Sequence, residues 1–274
     1  MKQINFSDGT TLCALGQGTW NMGRNPLNRK RETDALLLGI DLGMTMIDTA
    51  EMYANEEFVG SAIAAVRNVV FLVSKVLPEH ASYVGTLQAC EQNLKRLGTD
   101  RIDLYLLHWK GLHPFEETIK AMTKLQKEGK IVRWGVSNID VDDMNLIHSQ
   151  PNGGDCCANQ VLYNLGERGV EFDLIPWSQQ NNIVVIAYSP IAMGKLLHTP
   201  ALVQVAKKHQ ASPAQIALAW TIRMEGVMAI PKAASQSHVR ENFNALNISL
   251  DQEDIRLLDM AFPPPHRKIP LAGW

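Results

Sequence analysis

Four side chains of different chemistry stand at or just past the ends of apolar runs. Asp48 follows Met44-Thr45-Met46-Ile47, and Lys75 follows Val69-Val70-Phe71-Leu72-Val73-Ser74. His108 follows Ile102-Asp103-Leu104-Tyr105-Leu106-Leu107, and Tyr53 comes five residues after Asp48. A phenol titrates near pH 10, so it exchanges protons poorly at neutral pH unless it is perturbed. An ammonium beside it favours phenolate and lowers that value, and Lys75 is placed to supply the charge. Asp48 would hold Lys75 protonated and oriented. His108 would donate a hydrogen bond to a substrate oxygen. A proton donor beside an oxyanion-stabilising group suits carbonyl reduction. None of the four can deliver hydride, so this chemistry also requires a nicotinamide cofactor.

Any one polar residue at the end of an apolar run is explained by the run reaching the surface. Four with complementary roles call for an architecture that brings strand ends together. Strand-like runs occur at 14–17, 44–48, 69–75, 102–108, 131–137, 157–161, 183–189 and 227–231. Amphipathic helical patterns lie between them. Residues 82–97 place Val84, Leu87, Cys90, Leu94 and Leu97 on one face. Residues 114–128 begin at Pro114, suited to a first helical turn, and stop at Gly129. Ser212-Pro213-Ala214-Gln215 reads as a capping box, and Ser249 with Gln252 reads as another. Eight strands alternating with helices predict an α/β fold, a closed (β/α)8 TIM barrel spanning residues 1–274 as one domain. Two helices, about 200–209 and 212–225, fit between the last two strands, and a further one near 251–260 follows the eighth unit. The barrel therefore has two extra helices. Residues 2–6 and 10–13, joined through Asp8-Gly9, predict an N-terminal β-hairpin that covers one end.

In such a barrel the chemistry lies at the carboxyl ends of the strands. The other polar residues there are Ser137 and Asn138, Gln160, Tyr188 and Lys232.

The chain has 274 residues, 46% hydrophobic and 20% charged, with a formal net charge of −2. The basic excess of a nucleic-acid binder is missing, and no apolar run approaches the ~18 residues of a membrane span. The N-terminus has no signal-peptide-type stretch, so the protein is expected in the cytoplasm; as separate expectations, it is a monomer and acts on a small-molecule carbonyl substrate. Cys13, Cys90, Cys156 and Cys157 form no C-x-x-C pair and read as buried thiols. The histidines other than His108 lack paired ligand spacing, so no metal site is expected. Gly16-x-Gly18 is only a fragment of a dinucleotide fingerprint.

The segment Gly43-Met44-Thr45-Met46-Ile47-Asp48-Thr49-Ala50-Glu51-Met52-Tyr53-Ala54-Asn55-Glu56 resembles a signature of the aldo-keto reductase superfamily. Trp134-Gly135-Val136-Ser137-Asn138 resembles a second signature, and Ile230-Pro231-Lys232 the start of a third. Leu106-Leu107-His108-Trp109 and Gly16-Gln17-Gly18-Thr19-Trp20 resemble two of its barrel strands, so the resemblance covers essentially the whole chain, and it is greatest to the bacterial methylglyoxal-reductase-like branch. It implies a catalytic tetrad of Asp48, Tyr53, Lys75 and His108 and a substrate pocket lined by Trp20 and Trp109 beside Tyr53 and His108. It also implies NADP(H) as cofactor. Gly18, Thr19, Trp20 and Asp48 would contact the cofactor near the tetrad. Ser137, Asn138 and Gln160 would hold the carboxamide, and Tyr188 would stack on the ring. Ser189 and Leu196 would meet the pyrophosphate and ribose region, and Lys232 and Ser235 the 2′-phosphate. Glu241 and Asn242 would reach the adenine.

Two positions depart from the third signature. Ala233 stands where Ser or Thr is common, and His238 where Arg is common. A neutral imidazole lacks the fixed charge and fork of guanidinium, so use of NAD(H) is not excluded. Arg240 does not replace it, since two positions along a helix turn it some 200° away. Two rivals remain. One is a Schiff-base aldolase using Lys75 or Lys232. The other is an NADPH-binding regulatory or sensor protein with little turnover. Short loops after His108 and a modest tail after Phe262, ending at Trp274, suggest an open pocket for small aldehydes and dicarbonyls.

Overall fold

A computed structural model describes residues 2–273; Met1 and Trp274, the last residue of the expected tail, lie outside the described residues. The chain opens with an antiparallel pair, β1 (Gln3–Asn5) and β2 (Thr11–Cys13). Gly9 supplies the turn's positive φ of 86°. Eight parallel strands follow: β3 (Gln17–Gly18), β4 (Met46–Asp48), β5 (Phe71–Val76), β6 (Ile102–Leu107), β7 (Ile131–Ser137), β8 (Cys156–Leu162), β9 (Val184–Tyr188) and β10 (Val227–Ala229). Each pairs with its neighbour in chain order. Further bonds join the two ends. Gly16 N–H donates to the Ala229 carbonyl (2.8 Å), Ala229 N–H to that of Ala14 (2.9 Å), and Gly18 N–H to that of Pro231 (3.2 Å). These close the barrel, as the eight apolar runs predict.

The first strand is shorter than expected. Of residues 14–17 only Gln17 lies in the ladder to β4, while Leu15 bridges to Ala229. The seam must pass backbone against backbone here. A Cβ on Gly18 would stand 2.8 Å from the Ile230 carbonyl oxygen.

The helices are α1 (Arg29–Asp41), α2 (Glu56–Ile63), α3 (Tyr83–Leu97), α4 (Phe115–Lys127), α5 (Val141–Ser149), α6 (Leu174–Gln180), α7 (Pro200–Lys208), α8 (Pro213–Thr221), α9 (Gln236–Asn244) and α10 (Gln252–Ala261). Helix α3 is capped by Ser82, whose hydroxyl accepts from Gly85 N–H, and ends on Gly98 at φ 61°. Its buried face is Thr86, Ala89, Cys90, Asn93, Leu94 and Leu97; Val84, assigned to that face by spacing, is exposed because it stands two positions before Thr86, about 200° round the helix from it. Helices α7 and α8 fill the long interval between the last two strands, and α10 packs on α7.

Two helix starts differ from the sequence expectation. Pro114 is the residue before α4, at ψ 140°, rather than its first helical residue. The box at Ser212 and Gln215 forms as expected, but α10 is capped by Asp251 with Asp254, two residues beyond Ser249 and Gln252. An aspartate caps as well as serine does. The carboxylate of Asp254 also takes Lys208 and His209 from α7, which fixes the register.

The hairpin covers the amino-terminal end of the barrel. Phe6 stacks on Phe71 at 5.4 Å, and the Arg133 guanidinium lies 5.6 Å from the centre of the first ring and 5.3 Å from that of the second. All four cysteines are buried and unpaired. No helix among the described residues is long and apolar enough to cross a membrane.

Candidate active site

At the other end, β4, β5 and β6 deliver Asp48, Lys75 and His108 side by side. Lys75 is 0% exposed. Its ammonium donates to both oxygens of Asp48 (2.8 and 2.9 Å), to the Thr49 carbonyl (2.7 Å) and, at 3.4 Å, to the Tyr53 hydroxyl. Burial draws the Lys75 pKa down and the Asp48 carboxylate opposes it. Tyr53 reaches the group from a single 3-10 turn, Glu51–Tyr53, that ends on Ala54 in the left-handed region. The tetrad that the resemblance implies is thus assembled in one place.

The phenol's titration runs against the expectation. Burial and the Asp48 charge push the Tyr53 pKa well above its ordinary value, not below it. Lys75 spends its charge on both oxygens of the Asp48 carboxylate, so its ammonium does not offset burial at the hydroxyl. Tyr53 therefore stands protonated at neutral pH. His108 is also neutral, because burial and the Lys75 charge lower its pKa to about 3. Its Nδ1 is buried with no partner among the described residues.

Aromatic rings frame the opening. Trp20 meets Tyr53 edge-on at 4.9 Å, Tyr53 meets His108 at 5.9 Å, and His108 meets Trp109 at 4.7 Å. Spacing gave no sign of the scaffold beneath. Asn55 donates to the carbonyls of Thr19 and Met22 and accepts from the Thr49 hydroxyl. Glu56 takes Ser74 and Arg96. Glu51 accepts from Leu77 N–H and faces His80 Nδ1 at 2.9 Å, tying the turn of Tyr53 to the loop after Lys75. The Asn-Glu pair was visible in the motif; its bracing role needed the third dimension.

The residues assigned to the cofactor fall into two groups. Asn138 donates to the His108 carbonyl and the Ser137 hydroxyl, and the Tyr188 hydroxyl donates to Asn138 Oδ1 (3.0 Å). Gln160 donates to Asp48 Oδ1 (2.7 Å), so its amide already serves the tetrad. Thr19 is anchored to the Asp48 carbonyl, and Ser189 stands at φ 49° with its carbonyl accepting from Asn164. Leu196 lies against Gly166. The second group surrounds the start of α9. Ser235 caps it by accepting from His238 N–H (3.4 Å), Lys232 and His238 are exposed, and Asn242 is buried. Glu241 offers its carbonyl to Gln215. Among the described residues Lys232 has no carboxylate partner. An unpaired ammonium beside a helix start is a donor set that fits a phosphate.

The tail also reaches this mouth. Arg168 holds it through Asp259 and the Phe262 carbonyl, and Lys268 pairs with Asp140 (3.2 Å) and Asp173 (2.9 Å). A Cβ on Gly273 would lie 3.8 Å from Asn138 Oδ1.

Comparison with known proteins agrees with this arrangement. Residues 14–262 match the Aldo/keto reductase family model. The chain is 50% identical to methylglyoxal reductase YeaE of Escherichia coli K12, over 98% of each chain. It is 36% identical to glyoxal reductase of Bacillus subtilis 168, covering 93% of this chain and 91% of that one. An aldo-keto reductase from Klebsiella pneumoniae, solved in complex with NADPH, superposes with a TM-score of 0.97 at 47% identity, over 100% of this chain and 99% of that one. With the match running from the first barrel strand to the start of the tail, this chain belongs to the aldo/keto reductase family of oxidoreductases.

Proposed function

We propose that residues 1–274 act as one barrel enzyme that reduces small aldehydes and dicarbonyls, methylglyoxal among them, to alcohols with NADPH, Tyr53 being the proton donor. The observation that carries this is the buried Asp48–Lys75 pair set against the Tyr53 hydroxyl beside a neutral His108. The relatives named for methylglyoxal and glyoxal reduction and the NADPH-bound neighbour support it.

Ser137, Asn138, Tyr188 and Ser189 would hold NADPH at one end, and Lys232 and the start of α9 at the other, and the bound cofactor would supply the hydride that the carbonyl carbon needs. This chain's residues do the rest. The protonated Tyr53 hydroxyl gives its proton to the carbonyl oxygen. The phenolate left behind is held by the Lys75 ammonium, which Asp48 keeps charged and in place. The neutral imidazole of His108 offers one N–H to the same oxygen and fixes which way the carbonyl points. Trp20 and Trp109 shield the oxygen from bulk water, which strengthens each of these bonds.

The aldolase alternative loses its support at Lys75. A nucleophilic lysine needs a free lone pair and room for a carbonyl carbon, whereas this Nζ is ringed by Asp48, Thr49 and Tyr53 oxygens. The decisive experiment follows NADPH absorbance with a panel of aldehydes, dicarbonyls and keto-sugars. Steady consumption with methylglyoxal is expected. Tight NADPH binding without consumption would point instead to the sensor. In the same assay kcat/KM should favour NADPH over NADH, and Lys232→Ala should largely erase that ratio, by about 10- to 150-fold if one charge-assisted hydrogen bond is lost. A ratio unmoved by the substitution removes Lys232 from phosphate recognition.

A further inference from the structure

The mouth carries an unpaired charge that the reaction does not use. The guanidinium carbon of Arg24 lies 5.2 Å from the centre of the Trp20 ring, and Trp20 is the ring that meets Tyr53 at 4.9 Å. Trp20 is 41% exposed, so this stack borders the opening rather than the core. Arg24 itself is exposed and has no carboxylate partner among the described residues. Glu32, the acid bonded to the adjacent Gly23, is buried and accepts from Gly23 N–H.

The loop under Arg24 is held from several sides. Thr19 N–H and hydroxyl both donate to the Asp48 carbonyl. Asn55 binds the carbonyls of Thr19 and Met22. The backbone of Gly23 is fixed at both ends, by Glu32 on its N–H and by Arg29 Nε on its carbonyl. Gly23 stands at φ 77°, where a Cβ would lie 2.5 Å from the Phe58 ring. Arg24 thus leaves a fixed backbone and lies along an indole, which limits its rotamers before any ligand arrives. A planar guanidinium held this way is suited to take a carboxylate through two parallel N–H bonds.

We propose that Arg24 is a specificity-determining residue that selects aldehydes bearing a carboxylate across an aromatic ring's width from the carbonyl. This rests on the carbonyl-reductase function proposed above and adds a substrate class to it. With the aldehyde oxygen at Tyr53 and the chain of the substrate laid along Trp20, the acid group meets Arg24. A 2-oxo acid is too short to reach both, since the indole separates the two groups. Uncharged aldehydes such as methylglyoxal enter without using Arg24.

The test compares 4-formylbenzoate with its methyl ester, which keeps the ring and the carbonyl position and removes the charge; since the ester makes its aldehyde more electrophilic, each variant is read against wild type on the same substrate. Wild type, Arg24→Gln and Arg24→Lys are assayed with NADPH, with methylglyoxal as reference. Arg24→Gln should raise KM for the acid about tenfold with kcat unchanged, and leave the ester and methylglyoxal within about twofold. Arg24→Lys should restore part of the loss. The acid-to-ester ratio of wild type should fall as salt rises, because an exposed charge pair is screened. Parallel changes for acid and ester, or a change confined to the KM for NADPH, would overturn the assignment. If wild type reduces neither aldehyde nor methylglyoxal, the carbonyl-reductase function is what has failed. Calorimetric binding of terephthalate then decides Arg24 on its own: weaker binding to Arg24→Gln upholds it, and equal binding overturns it.

Discussion

Tyr53 and His108 are both kept neutral by burial, with different consequences. Burial and Asp48 leave Tyr53 holding its proton at neutral pH, as the proposed donor role requires. Tyr53→Phe deletes that proton and little else, so kcat should fall about 10²- to 10⁴-fold while NADPH binding, read by fluorescence titration, stays near wild type. Activity within a few-fold of wild type would remove Tyr53 from the chemistry. For His108 the consequence is in stability. Its folded pKa of about 3 lies below the ordinary 6.5, so between these values the unfolded chain binds a proton that the folded chain refuses. Its contribution is fully present above pH 6.5 and is lost as pH falls towards 3, by at most about 1.4 kcal/mol per pH unit. His108→Gln should flatten that limb of stability against pH in urea titrations. An unchanged slope would show that the imidazole is protonated in the folded protein.

At the level of elements, capping sets register. Asp251 accepts from Asp254 N–H, and Asp254 returns the bond to Asp251 N–H. Asp251→Ala should cost about 1 kcal/mol, whereas Ser249→Ala, at an exposed residue before the helix, should stay within a few tenths. Urea midpoints of the two variants check this, and a larger loss at Ser249 would contradict the cap. The same pair shows how much of the fold is legible in the sequence. Asp251-x-x-Asp254 was equally available, but its advantage comes from Lys208 and His209 on α7, contacts remote in sequence. The eight strands were legible because each is an apolar run with a polar end, and the tetrad because those ends differ in chemistry. Glu51 and the bond of Gln160 to Asp48 were not, since their partners lie on other strands or turns, nor was Arg24, because loop spacing does not show that its guanidinium lies over Trp20. The direction of the Tyr53 shift escaped for a related reason. An ammonium nearby was foreseen, but not that its charge would be absorbed by both oxygens of one carboxylate.

For the molecule as a whole the weakest join is the one between first and last strands. Strand β3 contributes two residues to the ladder, and the seam relies on bonds from Gly16 and Gly18. Gly18→Ala would press a methyl on the Ile230 carbonyl oxygen. Relieving that contact should cost about 1–3 kcal/mol, seen as an earlier urea midpoint. An unshifted midpoint would mean that the seam has slack. Lys232 lies two residues beyond Ile230, so the same substitution should also disturb the start of α9.

That seam also has a consequence in time. The strand that opens the barrel waits for the one that completes it, and almost the whole chain is made between them. At ribosomal speeds of about 5–20 residues per second, the wait from Gly18 to Ala229 is on the order of 10–40 s. Throughout it β3 has one bare edge, a flank open to other strands. The newborn protein thus holds all but one of its barrel strands before it can become a barrel at all.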